Sequence, residues 1–287
     1  MGPKDRIIVA LDVSGPIMAI ELVRTLRDHV GMFKLGLEFI TSTFATLVSN
    51  PQRNNARAYG AAVYELSQLR ELFDLAAGKI FWDSKLADIP NTVAGASRAT
   101  TRMQVAMFNV HCLGGLAMME AAREARDEIV ADGSRVSSIN TKILGVTVLT
   151  SLDIDDLMKL GFSGHHRSWD PGLDNVDDYN KGYIRYLCAN LAKLAKEAGL
   201  DGVISSPQEI SRIRQECGPD FLIVTPGVRP SWAAAGDQKR IMPPGEAVKL
   251  GADYLVIGRP ITNPPEEIGS PVEAAKRIAD EIDEALA

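Results

Sequence analysis

Two aspartates and a lysine stand close together in the stretch FWDSKLADIPNT, residues 81–92: Asp83, Lys85 and Asp88, the pattern D-x-K-x-x-D. On a solvated loop such a group is an ion pair of small energetic consequence. In a cleft it does more. Nearby anions favour the charged form of an ammonium, and a lysine kept protonated can stabilise a developing anion and then protonate it. The pattern alone is short, and with each charged type near 6% of residues it arises by chance in roughly one chain in twenty of this length. Its meaning depends on where the other polar residues fall.

Eight short apolar runs recur along the chain: RIIVALD (6–12), MFKLG (32–36), KIFWD (79–83), AMFNVH (106–111), ILGVTVLT (143–150), DGVISS (201–206), FLIVTPG (221–227) and DYLVIGR (253–259). Their lengths suit buried parallel strands. Amphipathic stretches separate them, such as MAIELVRTLRDHV and YIRYLCANLAKLAKEAG, the second closing on Gly199 as a helix C′ residue. Strands alternating with helices predict βα units, and eight units predict an α/β fold of the (β/α)8 TIM-barrel type, one domain over residues 1–287. A doubly wound open sheet is disfavoured, because ALDVSG after the first run lacks the glycine fingerprint. Two segments exceed ordinary connections, about 41–78 and 161–180. The first is expected to hold an extra helical turn or two outside the barrel, and the second to be a polar surface excursion.

A barrel of this kind carries its active site at the C-terminal ends of its strands. Asp12 closes the first run, Lys34 sits inside the second, Asp83 and Lys85 end the third, His111 the fourth and Thr150 the fifth. A lysine within a strand is costly unless paired. Asp83 and Lys85 are two apart, so an extended chain points both to one side, whereas Asp88 lies beyond the strand end. Arg229 in TPGVRP follows the seventh strand, and Gly258 with Arg259 in VIGRP ends the eighth. Loops after strands seven and eight are a common phosphate site: glycine lets backbone N–H groups approach an anion, and arginine grips phosphate through paired hydrogen bonds. His111 reads as a packed, hydrogen-bonded histidine, His165 and His166 as solvent-exposed residues of a turn-rich loop, and the acids of DIDD (153–156) as residues of a helix start.

The remaining features narrow the classes. Of 287 residues, 46% are hydrophobic and 24% charged, ordinary for a soluble globular protein. The net charge of −6, without a basic stripe, argues against nucleic acid as a partner. Cys112, Cys188 and Cys217 are far apart and without metal spacing, so they read as free thiols of a reducing compartment. With no signal-peptide pattern in MGPKDRIIVALD and no apolar run of membrane-spanning length, the expected location is the cytoplasm.

DSKLADIPNT resembles the signature of the orotidine 5′-phosphate decarboxylase family, D-x-K-x-x-D-I-P-N-T. VALD (9–12), FKLG (33–36), VTVLTS (146–151), TPGVRP with AGDQKRIM (within 225–242) and DYLVIGRPIT (253–262) are similar to that family's other motifs, in order and over nearly the whole chain. The 41–78 and 161–180 segments depart from its usual form in being longer, and they fall between the site residues. The resemblance implies conversion of orotidine 5′-phosphate to uridine 5′-phosphate (UMP) and carbon dioxide, with no cofactor and no metal. It implies an alternating array of Lys34, Asp83, Lys85 and Asp88, with Lys85 as proton donor. It further implies that Asp12 and Lys34 hold ribose hydroxyls, that Thr150 lies near the pyrimidine, and that Arg229, Gln238, Gly258 and Arg259 bind the phosphate, the loop of Arg229 and Gln238 closing as a lid. Asp88 and Thr92 would reach the site of a neighbouring subunit in a homodimer. Two alternatives stay open. A Mg²⁺-dependent sugar-phosphate decarboxylase or synthase of the same barrel group would want an acid where Lys34 stands. A non-catalytic nucleotide-binding barrel would keep the arginines but has no use for two lysines and two aspartates in the mouth.

Overall fold

The computed structural model describes residues 1–48, 56–132, 139–162, 176–233 and 242–287. Each apolar run forms a strand and each amphipathic stretch a helix. The order is β1 (Ile7–Ala10), α1 (Pro16–Leu26), β2 (Met32–Gly36), α2 (Leu37–Val48), α3 (Ala56–Leu75), β3 (Ile80–Leu86), α4 (Pro90–Arg102), β4 (Met107–His111), α5 (Leu116–Ala131), β5 (Lys142–Val146), α6 (Ile154–Lys159), α7 (Val176–Glu197), β6 (Gly202–Ile204), α8 (Ile210–Cys217), β7 (Leu222–Pro226), α9 (Pro244–Lys249), β8 (Tyr254–Ile257), α10 (Arg259–Thr262) and α11 (Pro271–Leu286). The strands pair in chain order, all parallel, and β8 returns to β1 through Ile8↔Val256 to close the barrel.

Side-chain alternation divides the apolar residues into two cores. Ile8, Phe81, Met107, Leu144, Val146, Ile204 and Val224 form one cluster, the packed barrel interior. Their strand neighbours, among them Ile7, Val9, Phe33, Leu35, Ile80, Phe108 and Val110, join the larger cluster between strands and helices. Helix α1 starts on Pro16 and buries Ala19, Ile20, Val23 and Leu26. Helix α6 is capped by Asp153, whose side chain accepts the Asp156 N–H in a capping box, so the DIDD acids do mark a helix start. Gly199, with φ +78°, follows α7 in the left-handed conformation expected of it.

The 41–78 segment differs from expectation. It holds most of α2 and all of α3, and the end of α3 is part of the barrel wall: Leu72 is buried, Leu69 and Phe73 pack on the outer core, and α3 lies beside α1. The polar run SNPQRNNARAYG hides the amphipathic repeat that follows it. Of the 161–180 segment, residues 163–175 lie outside the described residues, and α7 begins at Val176.

A repeated device pins the N-terminal ends of the strands. Asp201 Oδ2 accepts the Ile143 N–H at 2.7 Å and pairs with Arg126 at 2.9 Å. Asp253 Oδ2 accepts the Ile223 N–H at 2.8 Å and pairs with Arg214 at 2.8 Å. Arg214 also donates to the carbonyls of Gly218, Pro219, Phe221 and Gly251.

Candidate active site

Strand parity brings the first charges together. Lys34 lies two residues beyond Met32 and Asp83 two beyond Phe81, so both point inward, one layer above the apolar plug of the barrel. Lys34 Nζ lies 3.1 Å from Asp12 Oδ1 and 3.3 Å from Asp83 Oδ2, while Lys85 Nζ lies 2.7 Å from Asp83 Oδ1. Asp83 is therefore shared by two ammonium groups, one at each oxygen. Its side chain is 9% exposed, against 12% for Lys34 and 32% for Lys85. Burial acts to raise the Asp83 pKa. The charges of Lys34 and Lys85 and the hydrogen bonds from Lys85 and Asn109 together outweigh it, and hold the carboxyl below its ordinary value.

Gly36, at the end of β2, gives the cluster its space. A Cβ there would lie 2.8 Å from Lys34 Nζ. The glycine of FKLG thus has a steric role in holding the charges, which the sequence reading passed over.

Lys85 is not placed by an extended strand, as its two-residue spacing from Asp83 suggested. Between β3 and β4 the register steps from Trp82↔Phe108 to Leu86↔Val110, and Lys85 takes φ +49° inside that bulge. The fully buried Asn109 occupies the gap: Oδ1 accepts the Lys85 backbone N–H at 2.6 Å, and Nδ2 donates to Asp83 Oδ1 at 2.6 Å. Asn109 was also missed from sequence. Its one signal was an amide inside the otherwise apolar run AMFNV.

A cavity of about 290 Å³ opens over this array at the C-terminal ends of the strands. Asp12, Lys34, Asp83, Lys85, Thr150, Arg229, Gly258 and Arg259 all line it, as does Ser205, which the sequence reading did not single out. Thr150 gets there from a loop rather than a strand end. β5 stops at Val146, opposite Ile204, the last residue of β6, and Thr147 N–H still donates to Ile204 O at 3.2 Å. Gly258 and Arg259 also lie past their strand, at the start of the short helix α10. The Arg229 loop is braced by Arg229 N–H donating to Met242 O at 3.0 Å and Met242 N–H to Gly227 O at 3.3 Å. Gln238, His165 and His166 lie outside the described residues.

Asp88 and Thr92 are not brought to this cavity. Both are exposed, and Asp88 Oδ1 accepts the N–H of its neighbour Ile89 at 2.7 Å. His111 is half-buried, and its Nδ1 accepts the Leu113 N–H at 3.4 Å. Burial first, and then the charge of Lys85, push its pKa down, so it is a neutral, hydrogen-bonded ring at neutral pH, as its position at the end of β4 suggested. Among the described residues, no group of three or more His, Cys, Asp or Glu side chains is placed to hold a metal ion.

Residues 5–278 match the model of the orotidine 5′-phosphate decarboxylase / HUMPS family. The chain belongs to this family. Among its relatives, the orotidine 5′-phosphate decarboxylase of Moorella thermoacetica is 44% identical over 283 residues, covering 99% of this chain and 94% of that protein. The one from Syntrophomonas wolfei is 40% identical over 285 residues, covering 99% and 100%. Among solved structures, orotidine 5′-phosphate decarboxylase from Lactobacillus acidophilus superimposes with a TM-score of 0.68 at 28% identity, over 96% of this chain and 98% of that one. The family match spans all eight strands and every described residue of the cavity. No helix among the described residues is long and apolar enough to cross a membrane.

Proposed function

We propose that the chain is an orotidine 5′-phosphate decarboxylase, a carboxy-lyase that releases carbon dioxide to form UMP in pyrimidine biosynthesis, without cofactor or metal. The observation that carries this reading is the buried carboxylate of Asp83 bridging Lys34 and Lys85 under a cavity also lined by Arg229 and Arg259. The relatives named above support the substrate.

In this reading the arginines and Gly258 hold the phosphate and Asp12 with Lys34 the ribose, while Thr150 lies by the pyrimidine. Gln238 joins the phosphate grip as its loop closes. The bond from C6 to the carboxylate breaks, carbon dioxide leaves, and the electron pair stays on C6. The Lys85 ammonium stabilises that pair and then transfers a proton to C6; the neutral amine regains its proton from solvent. Asp83 beside the departing carboxylate adds repulsion that falls as the two separate. Binding energy from the remote phosphate offsets the cost of that placement. The magnesium-dependent alternative wants an acid where Lys34 stands, and Lys34 is already occupied by two carboxylates.

The proposal includes a cytoplasmic homodimer in which Asp88 and Thr92 serve the neighbouring site. Their exposure, next to Ile89 at 67% exposed, supports this part. The test is ultraviolet loss of orotidine 5′-phosphate with and without EDTA. Turnover indifferent to chelation is expected; loss on chelation with recovery on adding Mg²⁺ points to the sugar-phosphate alternative. For the shared site, inactive Lys85→Ala and Asp88→Ala chains are refolded together. Random reassortment with two-fold symmetry should restore about a quarter of the sites. Activity no greater than the sum of the parents, with exchange verified by mass spectrometry, rejects the contribution of Asp88 across the interface.

A further inference from the structure

We propose that Asn109 is the positioning residue of the charge array, its side-chain amide standing in for the strand pairing that β3 and β4 lack and orienting both Asp83 and Lys85. The kinetic part of this inference rests on the decarboxylase reading above; the structural part does not.

Three observations carry it. First, β3 advances four positions from Trp82 to Leu86 while β4 advances two from Phe108 to Val110, so the intervening backbone of β3 has no regular ladder partner. The Lys85 N–H falls in that gap, and Asn109 Oδ1 accepts it at 2.6 Å. Second, Lys85 has φ +49°, a conformation a side-chain-bearing residue holds only when its surroundings demand it. Third, Asp83 Oδ1 receives both Asn109 Nδ2 at 2.6 Å and Lys85 Nζ at 2.7 Å, which leaves Oδ2 turned to Lys34 at 3.3 Å. One amide therefore fixes the backbone of the lysine and the plane of the carboxylate.

The orientation of the amide follows from its partners. A backbone N–H can only donate, so the atom facing it is oxygen, and the amide nitrogen then faces the carboxylate. Few side chains meet both demands at this reach. Aspartate supplies the acceptor but sets a second carboxylate against Asp83, leucine supplies neither group, and glutamine is one methylene too long. Asn109 is fully buried and is not among the cavity-lining residues, so it acts through Asp83 and Lys85 rather than on the substrate.

The test uses Asn109→Ala and Asn109→Asp in the full chain, with thermal melts to verify folding. For Asn109→Ala, kcat should fall about ten- to hundredfold, the consequence of losing hydrogen bonds to a charged group. KM and UMP affinity should stay within about twofold, because the phosphate grip is built from other loops. Asn109→Asp places two carboxyls together, so one takes up a proton at raised pKa. Once protonated it donates to Asp83 as the amide did, and kcat relative to the unmodified enzyme should climb as pH falls. A crystal structure of Asn109→Ala should show Lys85 out of the left-handed region and the step between Trp82 and Leu86 altered. A ratio for Asn109→Asp that is flat with pH, or an alanine variant with kcat unchanged and KM raised, overturns the proposal. So does a crystal structure with Asp83 and Lys85 unmoved. If the alanine variant does not fold, the near-isosteric aspartate variant decides through its pH profile. If the unmodified chain fails to consume orotidine 5′-phosphate, the decarboxylase reading falls and the crystal structure still decides the role of Asn109.

Discussion

Replacing Gly36 with alanine adds a single methyl group and should disturb the charge array through contact alone. The new Cβ would stand 2.8 Å from Lys34 Nζ, and ordinary contact begins near 3.4 Å, so the ammonium must withdraw by about 0.6 Å. Lys34 Nζ now lies 3.3 Å from Asp83 Oδ2 and 3.1 Å from Asp12 Oδ1. At an effective dielectric of about 20, lengthening an ion pair of this separation by that amount costs about 0.8 kcal/mol. Asp12 is 55% exposed, so solvent screens most of its share. The total is about 1 kcal/mol, which predicts a fall of roughly fivefold in kcat/KM. The ultraviolet assay reads that fall directly, and urea unfolding should show a loss of stability of similar size. A double-mutant cycle sharpens the test. In a Lys34→Ala background the methyl group meets no ammonium, so Gly36→Ala should leave stability unchanged there. An equal loss in both backgrounds would refute the steric argument and assign the effect to the β2 backbone.

Arg214→Ala should lower stability by about 2–4 kcal/mol in urea unfolding, because it leaves several carbonyls and the carboxylate of Asp253 short of a donor. Kinetic constants of the surviving fold should change little, since Arg214 lies at the opposite end of the barrel from the cavity; a selective loss of kcat would contradict this. Stability should also fall in two stages as pH drops. Burial and then Lys85 depress the His111 pKa below 6.5, so the unfolded chain takes up that proton first, and stability declines below this value until the folded ring also titrates. Asp83, held below its ordinary 3.8 despite burial, contributes fully above that value and loses its contribution as pH falls through its lower folded value. Urea midpoints that stay flat between about pH 7 and 5 would rule out the His111 part. Cys112, buried beside Cys188 with its thiol pushed up to about 12, should resist iodoacetamide in the native protein and react only on unfolding; rapid native alkylation would refute its protection by burial.

The eight strands and the barrel were legible in the sequence because burial on both faces demands short continuous apolar runs, and such runs are a local property. So was part of the polar rim: Lys34 within MFKLG and Asp83 in KIFWD stand where side-chain alternation directs them to the mouth, and strand polarity brings the arginines after the last two strands to the same end. What escaped depends on two parts of the chain meeting. The bulge that carries Lys85 exists only because β3 and β4 run out of step beside it, and Asn109 is informative only once it is known to face that bulge. Gly36 matters because of the ammonium that lies against it. The polar lead-in of helix α3 masks an apolar face that shows its purpose only when packed beside α1. The sequence by itself determined which residues lie at or just beyond the C-terminal end of each strand, since that follows from periodicity along the chain. Only the tertiary structure decided how those residues touch, since register between strands, shared hydrogen bonds and steric room are set by the neighbour across the sheet.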